Sequence, residues 1–397
     1  MNTDFSAGEQ ALGYLYQTRC ALWLLLTGSE EQELILETLD DIVFEEEGMP
    51  WQLLQTKHHC KAASLTDTSP ELWKTIRIWS THIMARAIMP DSVRMTLLTT
   101  AVASDNSIAA RLRAGTDRNS GSALPDLVHV AQTSKNTFLE KAFAVFLALS
   151  PTDQKALVDS IYILDQSANI DDVAHRIKDM IRVAVSREHR NGLYERVEGW
   201  WFQKVIAHLR SQSRDAIAAF EVVDKIRSIA DQFRPDALPI DFLDAQPTEV
   251  DATSDNRLFV QQLRAIAIQN RRIEKAIVDY YRAFEQRSRW AREDLLIGDE
   301  LGQYERKLVD EWERFTLAFV DDQPGLGQAE TKLQHIGRQI YKWAELDADV
   351  RIRPSVTEPY VMRGSYHILA DNRPPRVWWH PKFIERVAQL LGQRGVQ

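Results

Sequence analysis

Asp41, Gln55 and Lys57 are the residues of this chain whose types and spacing suit hydrolytic chemistry. Gln55 and Lys57 stand two apart in the run Leu53-Leu54-Gln55-Thr56-Lys57. Side chains alternate along a strand, so these two share a face, about 7 Å apart at Cα. Asp41 stands where a turn enters the strand-forming run Ile42-Val43-Phe44, and Glu37 lies one turn earlier. A carboxylate and an amide oxygen are hard donors that suit Mg²⁺ or Mn²⁺. A lysine beside them can position an attacking water or balance charge on a phosphate. The group fits metal-dependent phosphodiester hydrolysis, with Asp41, Gln55 and Glu37 as metal ligands and Lys57 assisting. Asp40 adjoins Asp41, and one residue of register decides which of the two faces the site. Acids at such places are also common simply as turn residues.

Three short strands must position these groups. The pattern predicts strands over Leu34–Thr38, Ile42–Glu46 and Trp51–His59, the last after a turn at Gly48-Met49-Pro50. A helix is expected before them over Ala7–Thr27, with Ser6 as its N-cap and Gly28 as its stop. Gly13 and Gln17 share one side of that helix, four apart, and Gln17 can be an exposed surface residue there. A second helix from Pro70 to about Met89 and a fourth strand over Arg94–Ala101 complete a compact α/β unit. His58 stands next to Lys57, within reach of a bound phosphate. The run His58-His59-Cys60 has no second Cys/His pair at ligand spacing, so it does not read as a zinc site.

From Asn106 the chain reads as helical, broken once at Ser120–Pro125. Val173, Ile177, Ile181 and Val185 form an apolar stripe four apart, inside a basic segment, Arg176–Arg190, that could follow a DNA backbone. Trp200-Trp201-Phe202 reads as core, and Trp378-Trp379 as core or partner interface, with interface favoured because two adjacent tryptophans cannot share one helix stripe. Three prolines and several aspartates mark 234–256 as a linker. Beyond it, Leu258–Ile297 reads as one long helix and Leu301–Phe319 as another. A break at Pro324–Gly327 and a helix to about Ala348 follow. The end is rich in Pro, Trp and Tyr and closes with a short helix, Lys382–Leu391. The expected fold is an α/β core in residues 1–233 with a helical extension, the linker, and a helical assembly domain over 257–397, α-rich overall.

A 397-residue chain is long enough for more than one core, and 44% hydrophobic with 26% charged residues is a globular composition. The formal net charge of −9 means that nucleic acid must be met by a local basic surface. The two cysteines, Cys20 and Cys60, allow neither a disulfide framework nor a Cys-x-x-Cys zinc pattern, and point to the reducing cytoplasm. The opening residues do not read as a signal peptide, and the longest apolar run, Ala21–Leu26, is too short to span a bilayer.

The runs Gly13-Tyr14-Leu15-Tyr16-Gln17, Glu37-x-x-Asp40-Asp41-Ile42 and Gln55-Thr56-Lys57-His58 resemble the double-stranded DNA endonuclease domain of bacterial anti-phage effectors, within the PD-(D/E)xK restriction-endonuclease-like group. Leu72-Trp73-Lys74-Thr75-Ile76 and Leu97-Leu98-Thr99-Thr100 extend the resemblance. The resemblance implies that Gly13 packs closely on the sheet and that Gln17 donates a hydrogen bond behind the site. In the second half, Asp279-Tyr280-Tyr281-Arg282-Ala283, Tyr360-Val361-Met362-Arg363-Gly364-Ser365-Tyr366-His367 and Trp378-Trp379-His380-Pro381 are similar to the C-terminal domain of effectors in ABC-three-component defence systems. The combination resembles the nuclease effector of Lamassu-type systems. The resemblance implies an SMC-like ABC ATPase and a small middle subunit as partners. Because cutting both strands needs two active sites, the expectation is that the partners keep single copies apart and that the released chain self-associates through its C-terminal helices. One departure stands out: the acid usual before x-Lys is Gln55 here, which adds no charge to a metal site.

Overall fold

The computed structural model describes residues 7–211, 215–322 and 329–385. Contacts divide the chain into two compact units, Met1–Ala230 and Asp231–Gln397. The expected Ser6 cap, the break at Pro324–Gly327 and most of Lys382–Leu391 lie outside the described residues.

The strands in chain order are β1 (Glu33–Leu36), β2 (Ile42–Glu46), β3 (Met49–Lys57), β4 (Ser64–Leu65), β5 (Arg94–Thr99), β6 (Val102–Ala103), β7 (Ile161–Leu164) and β8 (Ile217–Ala218). Six of them make one mixed sheet in the order β7-β5-β3-β2-β1-β8, while β4 and β6 form a short parallel pair. The helices of this unit are α1 (Ala7–Thr27), α2 (Pro70–Met84), α3 (Ile108–Arg111), α4 (Ser120–Thr133), α5 (Glu140–Leu147), α6 (Pro151–Ser160), α7 (Ile170–Ile181), α8 (Arg190–Arg210) and α9 (Ala219–Ala230). The unit is therefore an α/β region within an α-rich chain.

The β2–β3 hairpin turns at Glu47-Gly48, both at positive φ (52° and 75°), rather than at Gly48-Met49-Pro50. A two-residue turn of that kind matches the twist of the strands it joins. It starts β3 at Met49 and ends it at Lys57. β3 is central, antiparallel to β2 and parallel to β5. Its Leu53, Leu54, Gln55 and Thr56 are all buried, as expected of a strand covered on both faces. On one face, Val43, Leu53, Met95 and Leu97 pack with Leu72, Trp73, Ile76 and Trp79 of α2. On the other lie Ile42, Phe44 and Leu54, on the side where α1 contacts β1 and β3.

Three expectations for this unit are corrected. The segment read as continuous helix after Asn106 contains β7, whose Ile161-Tyr162-Ile163-Leu164 pairs in parallel with β5. A four-residue apolar run carries no period that separates strand from helix, and the open edge of β5 decides it. Ser120–Pro125 starts a helix rather than breaking one, because the Asn119 side chain accepts the Ser122 N–H and caps it. The stripe through Val173, Ile177 and Ile181 ends with α7, so Val185 falls outside it and the basic segment Arg176–Arg190 is not one helix.

The second unit contains α10 (Leu258–Ala265), α11 (Asn270–Arg292), α12 (Glu300–Asp321), α13 (Glu330–Lys342), a π-turn at Trp343–Asp347 and α14 (Pro359–Asp371). The long helix expected over Leu258–Ile297 is split at Ile266–Gln269, where Ala267 takes a φ of 60°. α14 was not foreseen, yet it lies against the length of α11. The segment 234–256 is not a free tether. Ala237, Leu238 and Ala252 are buried, Trp290 and Gln286 donate to the Pro239 carbonyl at 2.7 and 3.0 Å, and Arg282 donates to Ala245 O at 2.8 Å. Trp379 is wholly buried and so belongs to the core, while Trp378 is half-buried and packs edge-on against Trp312. In the first unit, Trp201 is buried and donates its indole N–H to Thr18 O, whereas Phe202 is exposed.

No helix among the described residues is long and apolar enough to cross a membrane. Both cysteines are free thiols, Cys20 buried and Cys60 exposed.

Candidate active site at the end of the central hairpin

The site is made where β2 begins and β3 ends. Ile42 pairs with Leu54, so Asp41 comes opposite Gln55 at the next rung. The regular ladder stops there, and the Asp41 side chain continues it. Its Oδ2 accepts the Thr56 N–H at 2.8 Å and the Thr56 hydroxyl at 2.9 Å. The carboxylate is thereby held at the strand end, half-buried, and its Oδ1 accepts none of the hydrogen bonds found among the described residues. The Asp41 carbonyl is fixed from behind by Gln17, which is buried and donates through Nε2 at 2.7 Å. Gln17 is thus not a surface residue. Gly13 is not a close-packing position: a Cβ added there would meet nothing within 4 Å.

Asp40 has a different job. It is buried, and both oxygens are occupied: Oδ2 accepts the Trp79 indole N–H at 2.6 Å and Oδ1 accepts the Asp41 N–H at 3.0 Å. Burial pushes its carboxyl up to about 7, with the Trp79 hydrogen bond and Lys57 pulling the other way and Asp41 adding to the rise. The sign of the linked stability follows. Between pH ~4 and ~7 folded Asp40 keeps a proton that the unfolded chain has released, so stability falls as pH rises through that window. Urea midpoints of the wild type should fall from pH 5 to pH 7.5, and Asp40→Asn should flatten that limb. Parallel slopes in the two proteins would show that Asp40 does not titrate there.

Gln55 is buried, and its Oε1 has no hydrogen-bond donor. By alternation it lies on the same face as Leu53 and Lys57, the face covered by α2. Lys57 is half-buried, its Nζ donates to the Thr56 carbonyl at 3.0 Å, and its charge acts on both Asp40 and His59. Glu37 sits across the hairpin loop, its N–H donating to the Asp41 carbonyl at 3.2 Å, with φ at 54°. That left-handed backbone at a non-glycine residue is uncommon and clusters at functional sites.

His58 belongs to the opposite face. Its ring packs on Tyr16 at 4.8 Å between centroids, and burial, then the neighbouring His59, holds its imidazole below the usual range. That side chain is placed to support α1, not to meet a phosphate at Gln55. Four residues not foreseen in the site complete it: Thr56, Trp79, and the pair His59–Glu71. His59 Nε2 lies 2.6 Å from Glu71 Oε2, and this bond raises the imidazole above its ordinary value. The sequence signal for the last was available, since Glu71 is the acid in the first turn of α2.

The fit to a metal can be judged from the donors. Asp41 Oδ1 and Gln55 Oε1 belong to residues opposite one another across the hairpin and have no hydrogen-bond donors among the described residues, and a hard cation is one partner that would satisfy both. Among the described residues no group of three or more His, Cys, Asp or Glu side chains is arranged to hold a metal ion. The amide of Gln55 is outside that count.

In comparisons with known proteins, residues 259–387 match the family CTD7, described as C-terminal domain 7 of the ABC-three component (ABC-3C) systems. This match supports a place for the chain in an ABC-three component anti-phage system, in partnership with other components of that system. No curated protein matches. Among solved structures, the chain is similar to the Cap4 SAVED/CARF-domain containing receptor of Moraxella osloensis, with 15% identity, 64% of this chain and 60% of that chain covered, and a TM-score of 0.31. The receptor of Acinetobacter baumannii with the cyclic trinucleotide 2'3'3'-cAAA gives 16% identity, 64% and 57% coverage, and a TM-score of 0.32. The chain thus spans about 60% of the length of the solved structures it matches, and the superpositions are loose.

Proposed function

We propose that this chain is the nuclease effector of an ABC-three component anti-phage system, a metal-dependent endonuclease that hydrolyses phosphodiester bonds in double-stranded DNA. The observation that carries the proposal is the Gln55 side-chain oxygen, buried without a donor directly across the hairpin from Asp41. A buried polar atom left unpaired costs about 1–3 kcal/mol, and such an expense is commonly tied to a role. Asp41 and Gln55, with Glu37 nearby, would hold Mg²⁺ or Mn²⁺. When bound, the ion supplies charge stabilisation and an acidified water. The chain's own residues do the rest. Thr56 and Gln17 fix Asp41, Trp79 fixes the Asp40 turn beside it, and Lys57 presents its ammonium where charge builds on the phosphate.

The C-terminal unit is proposed to dock the SMC-like ATPase and the small middle subunit, which hold the effector inactive. Cutting both strands needs two such sites, so release and self-association form a sensible gate. A scaffold that binds DNA or the ATPase without cutting is the second reading, favoured by the lack of a three-acid cluster among the described residues. The deciding experiment is supercoiled plasmid incubated with the purified chain, alone and reassembled with its partners, in Mg²⁺ or EDTA. Nicked or linear product in Mg²⁺ alone is expected. Cleavage that survives EDTA, or none in any assembly state, would refute the enzymatic reading.

A further inference from the structure

A cavity of about 700 Å³ opens in the C-terminal unit between α11, α13 and α14. That volume lies within the range of small-molecule sites. Its wall is basic in a chain whose net charge is −9: Arg272 and Lys275 come from α11, Arg338 and Lys342 from α13, and Arg363 from α14. Arg272 is neutralised by Glu345 and rests on the Tyr341 ring. The hydrogen bonds of Arg338 and Arg363 go to main-chain carbonyls, of Ile266 at 3.1 Å and of Glu345 at 2.7 Å, and the Arg363 charge also acts on Asp279. Lys275 and Lys342 are exposed and make no hydrogen bond or ion pair among the described residues. Four cations therefore face the cavity against the single remaining carboxylate, Asp279.

Two further groups narrow the ligand. Asp279 is half-buried and makes no side-chain hydrogen bond among the described residues, and burial pushes it up to about 6. His367 is buried to 3% exposure, and its Nδ1 has no partner. Burial and the nearby Arg257 and Arg363 push its imidazole down to about 3, so it is neutral and cannot serve as a fifth cation. A bare phosphate answers the four cations but fills only a small part of a cavity of about 700 Å³ and leaves the wall at Asp279 and His367 without a partner. A ligand carrying phosphate together with hydroxyl or amino donors answers both.

We propose that this cavity is a second binding site, independent of the hairpin, that takes a phosphorylated nucleoside, its phosphate on Lys275, Lys342, Arg338 and Arg363 and its sugar or base against Asp279 and His367. The experiment is isothermal titration of the full-length chain with AMP, ATP, pyrophosphate and a hexaglutamate peptide, in EDTA to remove metal from the hairpin. Saturable binding of a nucleotide is expected, weakened about ten-fold or more in Lys275→Ala/Lys342→Ala, which removes charge-assisted contacts from exposed positions that do not affect folding. The proposal is overturned if neither nucleotide binds saturably or if the double variant binds as tightly as wild type. It is equally overturned if pyrophosphate binds as well as a nucleotide, or if hexaglutamate binds more tightly, which would mark the cavity as the seat of an acidic protein segment.

Discussion

Gln55→Leu is expected to slow plasmid cleavage by orders of magnitude while making the folded chain more stable. The two effects have one cause. The Gln55 oxygen is buried with no donor, between Leu53 on its own strand and Leu97 at the paired position on β5. Replacing it with an apolar side chain of similar size removes an unsatisfied polar atom worth about 1–3 kcal/mol. If that oxygen is a metal ligand, the same change removes it from the reaction and should lower the cleavage rate by about 10²–10³-fold, the scale seen when one preorganised polar group is deleted. Lys57→Ala should lose activity to a similar degree. Its stability should change by no more than about 0.5 kcal/mol, because the ammonium is half-exposed and donates only to the neighbouring carbonyl. Plasmid linearisation and urea unfolding, run on the same preparations, read both quantities. A Gln55→Leu chain that cuts normally removes Gln55 from the site. One that cuts poorly because it is destabilised shows that the oxygen has a structural partner.

The hairpin was legible because it is local. Alternation alone puts Gln55 and Lys57 on one face, and the short Asp41 loop brings Asp41 opposite Gln55. Ile42–Glu46 and Ala7–Thr27 fall where the apolar pattern places them. The division of labour between Asp40 and Asp41 was not legible. It is decided by Trp79, 39 residues further on, whose indole takes Asp40 into the core, and by Thr56, whose N–H and hydroxyl hold Asp41 at the strand end. Nothing in the dipeptide itself separates the two acids. The pairing of His59 with Glu71 is of the same kind, a contact made by the docking of α2.

The C-terminal unit was less legible, for a reason that can be located. α14 buries Tyr360, Val361, Met362, Gly364, Ser365, Tyr366, His367, Leu369 and Ala370, so nearly its whole circumference is covered. A helix buried all round shows no stripe. The one local signal was Pro359 at its first turn. The split between α10 and α11 has neither proline nor glycine at 266–269. It is imposed by packing, since Ile266 lies so close to Gly337 of α13 that no Cβ could fit between them. The runs Asp279–Ala283 and Tyr360–His367, which carry the resemblance in this half, are the facing turns of α11 and α14.

That crossing gives the second large effect. Gly364→Ala should unlock α14 from α11. A methyl group at Gly364 would overlap the main-chain carbonyl of Asp279 and the Cβ of Ala283. Two terms compete. Within a helix, alanine is better than glycine by roughly 1 kcal/mol. Overpacking costs about 1–3 kcal/mol, towards the upper end where the obstacle is backbone that cannot rotate away. The clash wins, and because α11 is a rigid helix the relief must come from α14 moving as a body. The same substitution at Gly13 of α1 meets no atom within 4 Å and should be neutral or stabilising. Hydrogen exchange on the full-length chain separates the cases: in Gly364→Ala the amides of α11 and α14 should exchange faster while those of β3 and α2 keep their wild-type rates. Gly13→Ala should leave all four elements unchanged. Equal protection of α11 and α14 in Gly364→Ala would mean that the two helices are not held at this glycine, and the cavity beside Asp279 would lose the wall on which its geometry depends.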